Sequence, residues 1–345
     1  MKLRYTLLLA GILFVGCKDQ IDTPPQTTSG EKIVFSAIDN SIQFNFPDAV
    51  VVDSDGTNTR MLGPGFIFAA NLNRMLWVSS TVEDSGLVIV SDALGGNRKE
   101  ISSTVLTSST EKLYSYGEAL SPDGSKYTYS VRDTSGIYRL YIVNADGSGK
   151  RLLSGNYWRE TCVTFSPDGK SVAYYISHDA QGFDYKNIEI QNVDGSNRYI
   201  LTPITDLGPD GYGRIAWSTK NRIAYTDNGT LFTINADGSV KIPVIDYGYA
   251  PSWSPTGDTL AFGHEGADSD ILITSDNGLT LTNLTNTPGI GESFPSWSSD
   301  GGRVLITRWI GNMDQVVLSL EEIDVKKATK RLIASPGAYG YYVKY

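Results

Sequence analysis

Apolar and polar residues alternate with a period of two over short runs, and each run ends in a cluster of Gly, Pro, Asp, Asn or Ser. Over 163–202 this pattern predicts four strands, at 163–166, 171–177, 187–192 and 198–202. Val, Ile, Tyr, Phe and Thr dominate the runs, as suits a pleated, half-buried surface. After residue 17 no apolar stripe of helical period reaches useful length, which excludes a helical solenoid.

The turns between the runs repeat. One signature is a hydroxyl residue followed by a turn: Ser121-Pro122-Asp123-Gly124, Ser166-Pro167-Asp168-Gly169, Ser254-Pro255-Thr256-Gly257 and Ser298-Ser299-Asp300-Gly301, with degenerate copies at Ser218-Thr219-Lys220-Asn221 and Ala70-Asn71-Leu72-Asn73. These begin 36 to 52 residues apart. A second signature follows as an apolar run and an Asp/Asn-Gly turn: Asn144-Ala145-Asp146-Gly147, Val193-Asp194-Gly195, Asn235-Ala236-Asp237-Gly238 and Asp276-Asn277-Gly278, with an early copy at Asp53-Ser54-Asp55-Gly56. Glycine there supplies the positive φ of tight hairpins. Four antiparallel strands per unit of about 45 residues describe one blade of a β-propeller. Residues 31–345 hold seven such units. The first, 31–62, has three strands, and the tail 339–345 reads as the strand that completes it and closes the ring. Six blades, with 31–62 as an extra ribbon, is the alternative.

The Ser-Pro-Asp-Gly turn followed by Asn-Ala-Asp-Gly resembles the TolB-like, WD-related propeller repeats of bacterial envelope proteins, over nearly all of 31–345. The resemblance implies an all-β, seven-bladed propeller as a single domain. TolB proteins add an N-terminal α/β domain for which this sequence leaves no room, so a role in the Tol system is not implied.

The first residues read as targeting. Lys2 and Arg4 precede an apolar run, 6–16, too short for the roughly 20 residues that span a bilayer. It ends in Phe14-Val15-Gly16-Cys17, which resembles a lipoprotein signal with Cys17 as the lipidated residue. Lys18-Asp19-Gln20 resembles the export tract of lipoproteins of the Bacteroidetes group. Residues 1–16 are thus expected to be removed, and 17–30 to form a flexible tether. The expected location is the outer membrane, facing the cell surface or the periplasm, with membrane contact through the lipid anchor only. Cys162 would then be alone, in an apolar run that reads as a buried structural thiol.

Charge and composition narrow the chemistry. A net charge of −9, near −11 without the leader's two cations, argues against nucleic-acid binding. Similar propellers in prolyl peptidases carry an α/β-hydrolase domain with Gly-x-Ser-x-Gly, which is absent here. Similar lyases need several His around a metal, and only His178 and His264 exist. Asp53-Ser54-Asp55-Gly56 and Asp268-Ser269-Asp270 resemble Ca²⁺-loop fragments but lack the later acidic ligands, so they read as turns. No metal, no cofactor and no enzymatic activity are expected.

The expected function is non-catalytic binding of an envelope protein or a glycan by a monomeric propeller. The alternative is a polysaccharide hydrolase or lyase at the channel mouth, because two carboxylates about 5–9.5 Å apart leave no sequence signature. Candidate ligand-binding residues at the channel mouth are Glu118, Arg159, Glu160, Tyr212, Arg214 and Glu292, all near the start of innermost strands. The tight Asp-Gly turns share one face of a propeller. The long, uneven loops on the other face hold the candidate partner-binding aromatics Tyr157, Trp158, Phe183, Tyr185, Tyr247, Tyr249 and Trp309. Arg132, His178, His264 and Arg308, each at the end of a second strand, are expected to make inter-blade hydrogen bonds.

Overall fold

A computed structural model of the protein describes residues 32–37, 48–54, 56–70, 74–79, 87–92, 95–100, 112–132, 136–153, 159–177, 185–204, 214–266, 268–312, 315–334 and 338–339. These residues form seven four-stranded antiparallel sheets and no helix. The fold is the expected seven-bladed propeller, and the six-blade alternative is excluded. In blade one the strands Lys32–Ala37, Asp48–Asp53 and Arg60–Pro64 are joined by the C-terminal strand Ala338–Tyr339, with Ser36 opposite Tyr339 and Ala37 opposite Ala338. The later blades run from an inner to an outer strand. These are Phe66–Ala70 to Lys99–Glu100, Lys112–Leu120 to Arg151–Leu152, Arg159–Phe165 to Tyr199–Pro203, Ala216–Trp217 to Ile242–Asp246, Gly248–Trp253 to Leu281–Asn283, and Gly291–Trp297 to Thr329–Ala334.

The hydroxyl signature is a self-contained hydrogen-bonded turn. Ser166 Oγ donates to Asp168 Oδ1 (2.6 Å) and accepts from Ser171 N–H (2.9 Å), while Gly169 N–H reaches the Ser166 carbonyl (2.8 Å). Ser121 and Ser298 repeat this arrangement. These turn bonds hold the carboxyl of Asp123 down at about 2, and those of Asp168 and Asp300 below the usual range.

Blade four's inner strand starts at Arg159, four residues ahead of the expected 163. A β-bulge causes the difference: register shifts between Thr161 and Thr164, and Cys162 takes φ +56°, so apolar alternation breaks before Val163. The bulge recurs at Ala250 and Phe294, each four residues before its anchoring serine. Cys162 is half-buried there and packs beside the core formed by blades four and five.

The core lies between blades rather than within them. Tyr175, Ile188 and Leu201 of blade four meet Ile223, Tyr225 and Ile234 of blade five. Tyr175 Oη also donates to the Thr226 carbonyl (3.2 Å). The closing seam is equally apolar, joining Leu305, Leu320 and Ile333 of blade seven to Ile33, Phe35, Val50 and Val52 of blade one. Third turns lean on the outer strand of the preceding blade. Tyr199 Oη donates to the Ala236 carbonyl (2.7 Å), Lys99 Nζ to that of Asp146, and Arg331 to that of Ser54.

Candidate functional site

On the loop face, blades five to seven are the most fully described. A single residue, Tyr247, joins blade five's outer strand to blade six's inner strand, and it does so with φ +57°. Such a conformation is uncommon for a bulky side chain. Tyr247 N–H donates to the Gly229 carbonyl, its own carbonyl accepts from Glu265 N–H (3.0 Å), and the residue is 59% exposed. Gly248 follows because a Cβ there would come within 2.8 Å of the Leu231 Cβ.

Tyr249 and Trp309 share one local device. Each stands opposite a glycine on the paired strand, Tyr249 across from Gly263 and Trp309 across from Gly291. Each ring covers its glycine closely: an added Cβ would meet Tyr249 Cζ at 2.5 Å and Trp309 Cε2 at 1.9 Å. Tyr249 Oη then donates across the blade boundary to the Glu292 carbonyl (3.2 Å). Both rings are half-buried, and Ile310 beside Trp309 is 42% exposed. Together with Tyr247 they present aromatic area with polar tips, suited to holding another chain.

Of the channel-mouth candidates, Arg214 and Glu292 have described side chains, and they part company. The Arg214 guanidinium lies over the Phe294 ring, 4.7 Å from its centroid. Phe294 is on blade seven's inner strand and Arg214 just precedes that of blade five, so the contact passes blade six's inner edge. Glu292 is fully enclosed instead of open to solvent, and Lys330 Nζ stands 3.5 Å from its Oε1. Burial pushes its carboxyl above the ordinary range, with Lys330 opposing. Lys330 also donates to Thr287 Oγ1 (2.6 Å), and Asp270 Oδ1 accepts from Thr285 Oγ1 (3.0 Å). Glu292 therefore belongs to a latch under the connection between blades six and seven.

Glu118, Arg159 and Glu160 are on inner strands, with Glu160 opposite Ile176, but only their backbone is described. Tyr185 opens blade four's third strand in the same way. Tyr157, Trp158, Phe183, Tyr212 and His178 lie outside the described residues, as do Cys17 and the leader. Among the described residues no helix is long and apolar enough to cross a membrane.

One other expectation changes. Arg308 Nη1 donates to Glu321 Oε1 (3.1 Å) in its own blade, and Arg132 stacks on Tyr138, also in its own blade, so these residues brace blades internally rather than tying neighbours. The acidic turns are occupied by the protein's own donors: Asp53 pairs with Lys32 and Asn58, and Asp268 accepts from Gly289 N–H. The sequence reading did not single out Phe294, Gly263, Gly291 or Ile310. A glycine inside a strand is the one sequence signal that marks two of them.

No protein-family model matches the chain. A 125-residue stretch is 34% identical to a Bacillus subtilis protein named "Uncharacterized peptidase YuxL", covering 34% of this chain and 19% of that one. A prolyl endopeptidase structure superposes with a TM-score of 0.63 at 12% identity, covering 92% of this chain and 50% of the other. TolB from Acinetobacter baumannii superposes with a TM-score of 0.52 at 16% identity, covering 88% and 79%. At these identities the structural likenesses establish the TolB-like propeller fold. The chain spans only about a fifth of the curated relative and half of the endopeptidase. The expectation that the protein is not an enzyme is overturned, because the 125-residue sequence match runs to a protein named as a peptidase.

Proposed function

We propose that this propeller engages peptide segments on the loop face of blades five to seven, as the substrate-engaging part of peptidase chemistry. The observation that carries the reading is the surface of Tyr247, Tyr249, Trp309 and Ile310, two of whose rings are seated on strand glycines. Fixed rings bind with little loss of side-chain entropy. The peptidase relative supplies the class of ligand. A location at the cell envelope is supported by the leader and Cys17, which read as a lipoprotein signal.

The test is fluorescence-detected binding of a peptide set, with and without proline, together with an assay for peptide hydrolysis. Saturable binding that Tyr247→Ser and Trp309→Ala each weaken about tenfold supports the reading. Glycan binding without peptide binding, or peptide binding indifferent to both variants, would sink it.

A further inference from the structure

Arg151 departs from what two other blades do at the same place in the repeat. Lys99 and Tyr199 stand four residues after the turn glycines Gly95 and Gly195, and each donates to a backbone carbonyl in the next blade's third turn. Arg151 stands four residues after Gly147, in the same place in blade three. It makes no such bond. Its Nη1 lies 3.9 Å from where a Cβ of Gly195 would be, and its enclosed Nε has no hydrogen-bond partner among the described residues.

Where the bond is missing there is a crevice of ≈ 150 Å³ between blades three and four, lined by Lys126, Ile142, Val143, Asn144, Gly149, Arg151 and Val193. It lies on the tight-turn face, away from the aromatic surface. Neither Lys126 nor Arg151 makes a side-chain hydrogen bond or ion pair among the described residues. The acids that face them are hydrogen-bonded within their own turns, Asp123 by Ser121 and Ser125 and Asp194 by Ser196, and feel Lys126 and Arg151 only as weaker, through-space charges. Lys150 turns away, over the Tyr141 ring at 4.5 Å.

We propose that this crevice binds a carboxylate. The planar guanidinium of Arg151 presents two N–H groups to the two oxygens, Lys126 adds a second positive charge, and Ile142 and Val193 cover a short aliphatic body. The apolar walls favour such a ligand over inorganic phosphate. It is either a free small acid or the C-terminal carboxylate of a peptide.

Calorimetric titration of the full-length protein tests this, with isovalerate, a tetrapeptide ending in leucine, the same peptide amidated, and phosphate as probes. Saturable binding of isovalerate alone identifies a free acid, and binding of the unamidated peptide as well identifies a terminal carboxylate. Arg151→Gln should weaken either by about tenfold or more, Lys126→Gln by less, and both variants should keep the wild-type melting temperature within a few degrees. The inference is overturned if neither carboxylate saturates, if Arg151→Gln weakens the amide or phosphate as much as the carboxylates, or if a folded Arg151→Gln protein keeps full affinity for both carboxylates; amide binding that Arg151→Gln leaves unchanged belongs to the aromatic loop face. Should Arg151→Gln not fold, Arg151→Lys takes its place under the same criteria.

Discussion

The two faces of the propeller are built on different principles. On the tight-turn face, each turn is held by residues within five positions of one another, as Ser166, Asp168 and Ser171 are. On the loop face the defining contacts join residues far apart in sequence: Tyr249 to Glu292, Glu292 to Lys330, and Arg214 to Phe294. The first face is built from local devices that Lys99, Tyr199 and Arg331 join at the outer rim, and the second exists only once neighbouring blades have packed. Local devices repeat and make a scaffold, whereas assembled contacts differ from blade to blade, which is what specificity requires.

The largest effect should come from breaking the ring that the loop face depends on. Removing residues 338–345 takes away the strand paired with Ser36 and Ala37 and opens the seam between blades seven and one. Calorimetry should then show loss of a single cooperative transition. Next, Tyr225→Ala would empty a fully buried site between blades four and five and cost about 3–5 kcal/mol, measured by denaturant unfolding. Gly291→Ala should cost about 1–3 kcal/mol, because the new Cβ displaces the Trp309 ring, and should lower peptide affinity with it. On the other face, Ser166→Ala should cost only about 1–2 kcal/mol and leave peptide affinity unchanged, since the lost bonds stay within one turn.

The smallest effect, and the sharpest for the comparison, is that carboxyls on the two faces titrate with opposite sign. Asp123, Asp168 and Asp300 have folded pKa values below their unfolded ones. Their stabilisation is present above the ordinary value of 3.8 and is lost as pH falls, toward about 2 for Asp123. Glu292 is raised instead, so the folded state holds its proton more tightly and stability declines as pH rises above 4.5 through the shifted value. Stability measured against pH should show both limbs. Asp123→Asn should shrink the acid limb, and Glu292→Gln should abolish the other. If both variants changed the same limb, the contrast between the faces would be wrong.

Strand alternation, the Ser-Pro-Asp-Gly and Asp-Gly turns, the blade count and the closing strand were legible in the chain because each depends on residues a few positions apart or on a recurring period. The start of blade four's inner strand was not, since the bulge at Cys162 interrupts the alternation that would reveal it. For the candidate site, Tyr247, Tyr249 and Trp309 could be read from loop position and residue type, as could the nearness of Arg214 to the inner strands. Whether a carboxylate near an inner strand meets water or a lysine could not. Glu292 reads in sequence like its counterpart Glu160, yet what encloses it is Lys330 on an outer strand and a connection from the preceding blade.

The sequence by itself determined the repeat, its turns and the antiparallel blades, because hydrogen bonds between near neighbours and a two-residue apolar period are properties of short segments. Only the tertiary structure decided which rings rest on glycines, which carboxylate is sealed and which arginine is left over a crevice. The first follows from the register of two paired strands; the other two follow from how one blade's side chains pack against the next, and packing between blades is set by distances that no segment of the chain contains.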